Sequence, residues 1–339
     1  MAKYKRGVRS FKPETPPVIT AWASVAGKKE LEGPLGSTFD LTDTDTYFGE
    51  KSWEKAECRL QQMALETLLE KSHRTKKDID LIFSGDLLNQ CISSSFSLRN
   101  TQLPSLGLYG ACSTMAESLL LASMAVSGGF ADRVVAMTSS HFASSERQYR
   151  YPLGYGGQRT PTAQWTATGS GAAMVCASGE GPVIEAATIG TIRDLGITDA
   201  NNMGAAMAPA AFETIRQHLD DLNTAPEDYD LIVTGDLGKI GKEIVRDQFY
   251  KLGVDLSGRY DDCGVLLFDA QKQDVHAGGS GCGCSAIVLC GHLLDQMQQG
   301  KLKRLLFCGT GALLSPTSSQ QGESIPGVCH AVSICRREN

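Results

Sequence analysis

The sequence predicts a layered α/β fold built from two equivalent halves, and three observations lead there. Apolar, strand-like runs alternate with amphipathic helical stretches along the chain, the pattern of helices layered on sheets. The segment DIDLIFSGDL at 78–87 returns as DYDLIVTGDL at 228–237, with seven of ten positions identical and a spacing of 150 residues (228 less 78). Each copy follows a helical stretch and ends in Gly-Asp, so both halves carry the same unit in the same order. A pseudo-twofold pairing of such units brings the two Gly-Asp ends to a shared cleft, where α/β sheets bind their ligands.

Residues 18–25 open the first half as a strand after a Pro-rich arm. Residues 56–71 form an amphipathic helix, with Leu60, Met63, Ala64, Thr67 and Leu68 at helical spacing. The first repeat supplies a buried strand at 79–84. A short extended run at 106–109 precedes a helix at 113–126, rich in Leu, Met and Ala, that stops at Gly128-Gly129. Strands follow at 133–138 and 172–177, and 184–192 begins the crossover. In the second half, a helix at 209–222 leads into the repeated strand Leu231–Thr234. A helix at 242–252 ends at Gly253, and 265–268 reads as a further strand. A Gly/Cys-rich turn then precedes a helix at 285–299, and strands at 304–308 and 327–334 close the sheet. The halves divide as 1–190 and 191–339. Residues 141–165 belong to neither copy and read as a long loop with Arg147, Tyr149, Arg150, Tyr151, Tyr155 and Arg159. Loops of that length are functional or interfacial as a rule.

With 339 residues, 42% hydrophobic and 21% charged, the chain can bury a large core. Its net charge of −6 gives no general reason to expect nucleic-acid binding. The first twelve residues nevertheless carry Lys3, Lys5, Arg6, Arg9 and Lys12, an arm that suits an anionic membrane or partner as well as an ordinary solvated terminus. No apolar run approaches the ~18 to 20 residues of a spanning helix, and no apolar stretch follows the basic start as in a signal peptide. Eleven cysteines, scattered through core-like segments, read as reduced buried thiols. Cys282 and Cys284 form a C-x-C pair without a second ligand pair nearby, so tight packing is favoured over zinc.

The sharpest local signal is YGACSTMAESLLLASMAVSGGF, which places Cys112 between a short strand and a helix start. Free backbone N–H groups there favour a thiolate, and the small neighbours keep a nucleophile accessible. The alternative is a small buried hydrophobe.

That turn, its apolar helix and its Gly-Gly stop resemble the nucleophile region of the thiolase-like condensing enzymes, in particular the initiating ketoacyl carrier-protein synthases. TATGSGAAMVCASG at 166–179 is similar to their GDGAGAAV strand, and GGSGCGCSAIVLCGHLL at 278–294 to their Gly-Asn-x-Ser-Ala turn and helix. The likeness runs over nearly the whole chain from Val18. It implies a thiolase-like αβαβα fold of two pseudo-twofold-related halves, usually paired as a homodimer, with the Arg/Tyr loop either at the dimer contact or at the ligand.

The departures decide what the resemblance implies for function. In those enzymes a His follows the strand matching Leu231–Thr234, and the later turn supplies an Asn; together they bind the thioester oxygen and assist decarboxylation. Here the His position is Gly235, followed by Asp236, and the Asn position falls in Ser280-Gly281-Cys282. Glycine has no side chain, and an ionised Asp donates no hydrogen bond. Losing an acid/base group costs about 10²- to 10⁴-fold, and losing an oxyanion donor about 10²- to 10³-fold. His141 and His276 lie outside the matching positions. The resemblance therefore implies a binding pocket made from a disabled active site.

The Ala-Cys-Ser turn, two GDL strand ends, the GGSGCGCSA turn and the Arg/Tyr loop together are similar to the stage V sporulation AD family of spore-forming bacteria. That resemblance implies binding of dipicolinic acid and a part in its uptake into the developing spore. It also implies a peripheral place at the inner membrane, alongside membrane proteins of the same operon. Cys112 would line the pocket floor, with Asp86, Gly235, Asp236, Gly281 and Cys282 around it. Small-residue turns can aim N–H groups at a carboxylate, a Tyr can stack on the ring, and Arg147, Arg150, Arg159 or Lys239 can pair with its charge. Asp86 and Asp236 would repel a dianion, so they bind a hydroxyl or amide, cap helices, or hold Ca²⁺ that the ligand also chelates. No other cofactor is implied. The competing reading is an acyltransferase or condensing enzyme with Cys112 as acyl acceptor; a weaker third is a scaffold for the membrane proteins.

Overall fold

In the computed structural model, which describes residues 3–149 and 158–337, the principal strands form one continuous mixed sheet, while the short strands Trp165–Thr166 and Gly279–Ser280 pair in parallel apart from it. The strands are β1 (Val18–Ala26), β2 (Leu81–Gly85), β3 (Ser105–Leu108), β4 (Arg133–Ser140), β5 (Gly169–Cys176), β6 (Val183–Thr188), β7 (Leu231–Thr234), β8 (Tyr260–Asp262), β9 (Arg304–Ala312) and β10 (Gly327–Cys335). Their order is β8-β7-β9-β10-β6-β1-β5-β4-β2-β3. It reads the same from both ends, with the two repeat strands, β7 and β2, each one in from an edge. Leu81 pairs with Val134 of β4 in parallel, and Leu231 pairs with Leu305 of β9 in the same way.

The repeated aspartates explain why the motif recurs. Asp80 accepts from the amides of Asp132 (2.8 Å) and Arg133 (2.9 Å), and Asp230 from those of Lys303 (2.6 Å) and Arg304 (2.9 Å). Each carboxylate thus fastens the neighbouring parallel strand where it enters the sheet. Asp78 and Asp228 accept from the amides of Thr75 and Ala225, at 2.8 Å in both cases, and close the turn ahead of each repeat strand.

The main helices are α1 (Trp53–Lys71), α2 (Ile92–Leu98), α3 (Thr114–Ser127), α4 (Phe142–Tyr149), α5 (Met203–Leu222), α6 (Gly238–Lys251), α7 (Cys263–Leu267), α8 (Cys282–Val288) and α9 (Pro316–Gln320); short helical turns at Lys28–Leu31 and Leu294–Gln298 accompany the 3₁₀ and π turns. α3 and α8 form the central layer. Met115, Leu119, Ile287 and Val288 pack against Val134 and Ala136 of β4 and against Leu305 and Phe307 of β9. The alternate residues of β4, Val135 and Met137, face outward onto Leu60, Ala64 and Leu68 of α1. On the far side, α5 covers Leu306 and Cys308 of β9. The layers are therefore αβαβα. Covered on both faces, the strands read as continuous apolar runs rather than alternating ones.

Several elements differ from their sequence reading. Residues 265–268 belong with helix α7, because Asp262 accepts from the amides of Gly264 (3.0 Å) and Val265 (3.3 Å) and starts a helix there. The expected loop at 141–165 contains α4, whose first turn is secured by Ser144 Oγ donating to His141 O (3.1 Å). The Ser-rich α2 has no amphipathic stripe to betray it. α6 starts at Gly238 rather than 242, since Asp262 also takes the amides of Leu237 and Gly238. α5 extends back to Met203 through Pro209. The helix expected at 285–299 begins at Cys282 and passes through a π turn at Leu289–Leu293. There Gly291 comes so close to Phe39 that a Cβ would stand 2.6 Å from its ring.

Candidate functional site

Cys112 occupies the 3₁₀ turn Ala111–Ser113 that launches α3. The preceding Ala111 holds φ +51°, a left-handed conformation that costs an L-residue roughly 1 kcal/mol or more. The turn is kept by Ser113 Oγ donating to Gly110 O (2.7 Å) and Thr114 Oγ1 donating to Ala111 O (2.6 Å). β9 presses against it from below. A Cβ on Gly309 would stand 2.7 Å from that of Ala116, and one on Gly311 2.7 Å from Gly110 O. Glycines there let the cysteine turn sit down on the second-half strand.

Above the thiol lies a cavity of about 120 Å³. Leu87, Tyr149, Met203, Ala312 and Leu314 give it apolar walls; Ser145, Glu146, Thr166 and Ser280 give it polar points. No lysine, arginine or histidine is among its described lining residues. Tyr149 Oη donates to Leu87 O (2.7 Å), and Thr166 Oγ1 to Glu146 Oε1 (3.2 Å).

The group that faces the sulfur is Asp236, fully buried and within hydrogen-bonding reach of the Cys112 thiol. Thr310 Oγ1 donates to one carboxylate oxygen (2.8 Å); Ser280 Oγ (3.0 Å) and the Gly281 amide (2.9 Å) donate to the other. Burial raises the Asp236 carboxyl against the pull of these donors. Burial, and next the Asp236 charge, push the Cys112 thiol well above its usual value. The helix start was expected to favour a thiolate; desolvation and an adjacent carboxylate outweigh it, and the sulfur is a neutral thiol.

The structure gathers most of the predicted floor. Cys282 packs on Cys112 and Leu87, with its own thiol donating to Ser139 O (3.0 Å). Gly281, at φ +100°, lies so close to Ser140 that a Cβ would be 2.6 Å from its Oγ. Gly235 is tight as well: a Cβ there would stand 3.1 Å from the Thr310 amide and 3.3 Å from its Oγ1. Asp86 lies further back. It accepts from the amides of Leu88 (2.9 Å) and Ser94 (2.8 Å) and from Ser94 Oγ (2.7 Å), and so holds the first turn of α2. Its buried neighbour Glu57 accepts from Ser139 Oγ and Ser144 Oγ; burial and then the Asp86 charge raise the Glu57 carboxyl.

Of the expected cations, the described ones, Arg147, Arg159 and Lys239, do not line the cavity. Arg147 pairs with Glu54 and lies over the Trp53 ring. Arg159 pairs with Asp274 at 2.8 Å and lies over Trp165. Lys239 is exposed on the first turn of α6. Arg150, with Tyr151 and Tyr155, lies outside the described residues. His141 is committed to Thr46 O (2.8 Å) and the Ala143 amide (3.2 Å), and His276 to Asp274 (2.9 Å). Among the described residues, no group of three or more His, Cys, Asp or Glu side chains converges as a metal site, and no helix is long and apolar enough to cross a membrane. Sequence reasoning missed Leu87, Glu146, Met203 and Leu314. Glu146 stood in the singled-out loop and Leu87 ends the repeat; Met203 and Leu314 gave no signal.

Comparison with known proteins gives the family and the fold. A family model described as Stage V sporulation protein AD (SpoVAD) matches residues 7–335. The stage V sporulation protein AD of Bacillus subtilis (strain 168) is 48% identical over 326 residues, which cover 96% of this chain and 96% of that one. Among solved structures, the 3-oxoacyl-[acyl-carrier-protein] synthase III of Aquifex aeolicus VF5 aligns with a TM-score of 0.57 at 13% identity, covering 94% of this chain and 99% of its own. Cerulenin-bound Xanthomonas campestris OleA gives 0.61 at 14% identity, covering 96% and 98%. At such identities the two solved structures speak for the fold alone, which is thiolase-like as the sequence led us to expect. The chain belongs to the stage V sporulation protein AD family of sporulation proteins.

Proposed function

We propose that this protein is a non-catalytic binding protein for dipicolinic acid, acting in its uptake into the developing spore. The observation that carries the reading is the carboxylate of Asp236 set against Cys112 where a condensing enzyme needs a base and a donor. A neutral thiol beside a carboxylate neither attacks a thioester nor stabilises the anion that attack would create. What remains is a small, largely apolar cavity that suits a flat ring. The buried carboxylate of Asp236 beside the floor thiol opposes a bare dianion by charge repulsion. The 1:1 Ca²⁺ complex of dipicolinate is neutral and avoids it. On this reading the protein works as a homodimer, peripheral at the forespore inner membrane, with membrane proteins of the same operon.

Calorimetric titration tests it, with dipicolinate added in the presence of Ca²⁺ and in the presence of a chelator. Saturable binding to the wild type, weakened by Cys112→Ala and abolished by the cavity-filling Cys112→Phe, supports the reading. Unchanged affinity in both variants, with native melting curves, sinks it; unchanged affinity under chelator removes only the metal. The acyltransferase alternative draws on the left-handed Ala111, which keeps a nucleophile-type turn. Incubation with acyl-CoA and intact-mass measurement decides it, since an acyl adduct on Cys112 would favour the enzyme.

A further inference from the structure

The basic N-terminal arm is built into the fold. Lys5–Arg6 pairs with Ser10–Phe11 as a hairpin, and the second of these strands adds to β6 through Phe11 and Ser10. Asp221, at the end of α5, accepts from the amides of Val8 (2.8 Å), Arg9 (2.9 Å) and Ser10 (3.0 Å) and from Ser10 Oγ (2.8 Å). Gly7 turns at φ +51° directly over that carboxylate, where a Cβ would stand 2.0 Å from it. A terminus held by four hydrogen bonds to one side chain is a fixed surface feature, not a loose tail.

That hairpin presents apolar and basic groups together. Between it and the end of α3 runs a groove of about 380 Å³, walled by Tyr4, Val8, Phe11, Met124 and Ile189. Val8 is 65% exposed, and beyond Gly128 the ring of Phe130 is 87% exposed. Gly128 joins groove and ring, since a Cβ on it would touch Phe130 at 2.9 Å. Lys5, Arg6 and Lys12 form no ion pair among the described residues; Lys3 pairs with Glu14, and Arg9 with Glu213. A chain of net charge −6 thus gathers unneutralised cations beside an exposed aromatic and an apolar groove.

We infer that this face, the hairpin at 5–11 with Phe130 and Met124, docks on an anionic lipid surface. Phe130 and Val8 enter the headgroup region while Lys5, Arg6 and Lys12 meet lipid charge. Charge complementarity selects this occupant: on a chain of net charge −6, a negative membrane attracts the basic hairpin and repels acidic faces, and apolar side chains beside Lys and Arg are the pattern of interfacial binders. The inference rests on the peripheral-membrane part of the reading above and is independent of the cavity.

Co-sedimentation of the full chain with phosphatidylglycerol/phosphatidylcholine vesicles and with phosphatidylcholine vesicles tests it. The wild type should pellet with the anionic vesicles, be released by salt and ignore the neutral ones. Each basic residue near an anionic surface contributes about fivefold to partitioning, so Lys5→Glu/Arg6→Glu/Lys12→Glu should lower it by tenfold or more. Phe130→Ser, on a surface loop, should lower it without unfolding. Both variants should bind dipicolinate like the wild type, which separates failure of this inference from failure of the cavity reading. A wild type that stays in the supernatant, or variants that pellet equally, overturns it. So does a Phe130→Ser chain that changes oligomeric state instead, for then a second copy covers the patch.

Discussion

Replacing Asp236 with Asn removes the charge that faces Cys112 while keeping the side chain's size. Two unit charges about 4 Å apart at an effective dielectric near 20 interact by about 4 kcal/mol, which sets the scale on which that charge opposes a thiolate. Burial, the larger cause of the raised thiol, stays. A tenfold gain in thiolate needs only about 1.4 kcal/mol, so the rate at which iodoacetamide labels Cys112 should rise at least tenfold near pH 8. The Gly281 amide needs an oxygen, which fixes the Asn amide nitrogen towards Thr310. The Thr310 hydroxyl can turn to accept, and the cost in stability should be about 1–3 kcal/mol. Peptide mapping by mass spectrometry is the assay, because Cys58 and Cys335 are partly exposed and react as well. Labelling of Cys112 that stays as slow in Asp236→Asn as in the wild type, with the fold intact, would refute the argument that the carboxylate keeps the thiol protonated.

Two further outcomes follow from burial and from the sheet edge. Burial raises Glu30 to about 7 and Asp262 to about 7, and Glu57 is raised too. Below its unfolded value each group contributes its full stability, which is lost as pH rises through the folded value. The buried His218 and His330 are depressed, to about 3 and about 4, and titrate only at lower pH. The melting temperature should therefore fall between pH 6.5 and 8, less steeply in Glu30→Gln; a flat or rising profile contradicts this. β3 ends the sheet with Leu106 55% and Tyr109 50% exposed, an open edge that a second copy can extend. Leu106→Lys should turn the proposed homodimer into monomer in light scattering, and a wild type that is already monomeric defeats the prediction.

What the sequence revealed, and what it hid, divides by the range of the interactions involved. The repeat was legible because each Asp of DxD acts within a few residues or on the adjacent strand, so the same letters meet the same partners twice. The Cys112 turn and the Gly235-Asp236 step were legible because both are local in chain. Partnership over distance was not. Arg147 reads as a free cation until folding brings Glu54, 93 residues away, against it. The cavity walls come from α4, the start of α5 and the segment after β9, none of which announces the others. α7 misread as a strand for a related reason: its apolar run fits either state, and the cap that decides belongs to β8.

The two Gly-Asp ends began as one motif and now do different work, and the difference lies in what the neighbouring turn offers. Around Asp86 every hydrogen bond comes from its own half, through Leu88 and Ser94, and the carboxylate serves as a remote cap of α2. Around Asp236 the donors come from Ser280, Gly281 and Thr310, and the remaining neighbour is the thiol of the opposite half. An imidazole in that place would lower the energy of a thiolate; a carboxylate lowers that of the thiol. On the proposed reading the carboxylate does more than leave an imidazole out, because its charge works against a thiolate at sulfur. Restoring a histidine at Gly235 would leave that field in place, and its Cβ would crowd the Thr310 amide at 3.1 Å. On that reading, a cavity floored by a protonated thiol and capped amides serves as a wall that touches a ligand without reacting with it.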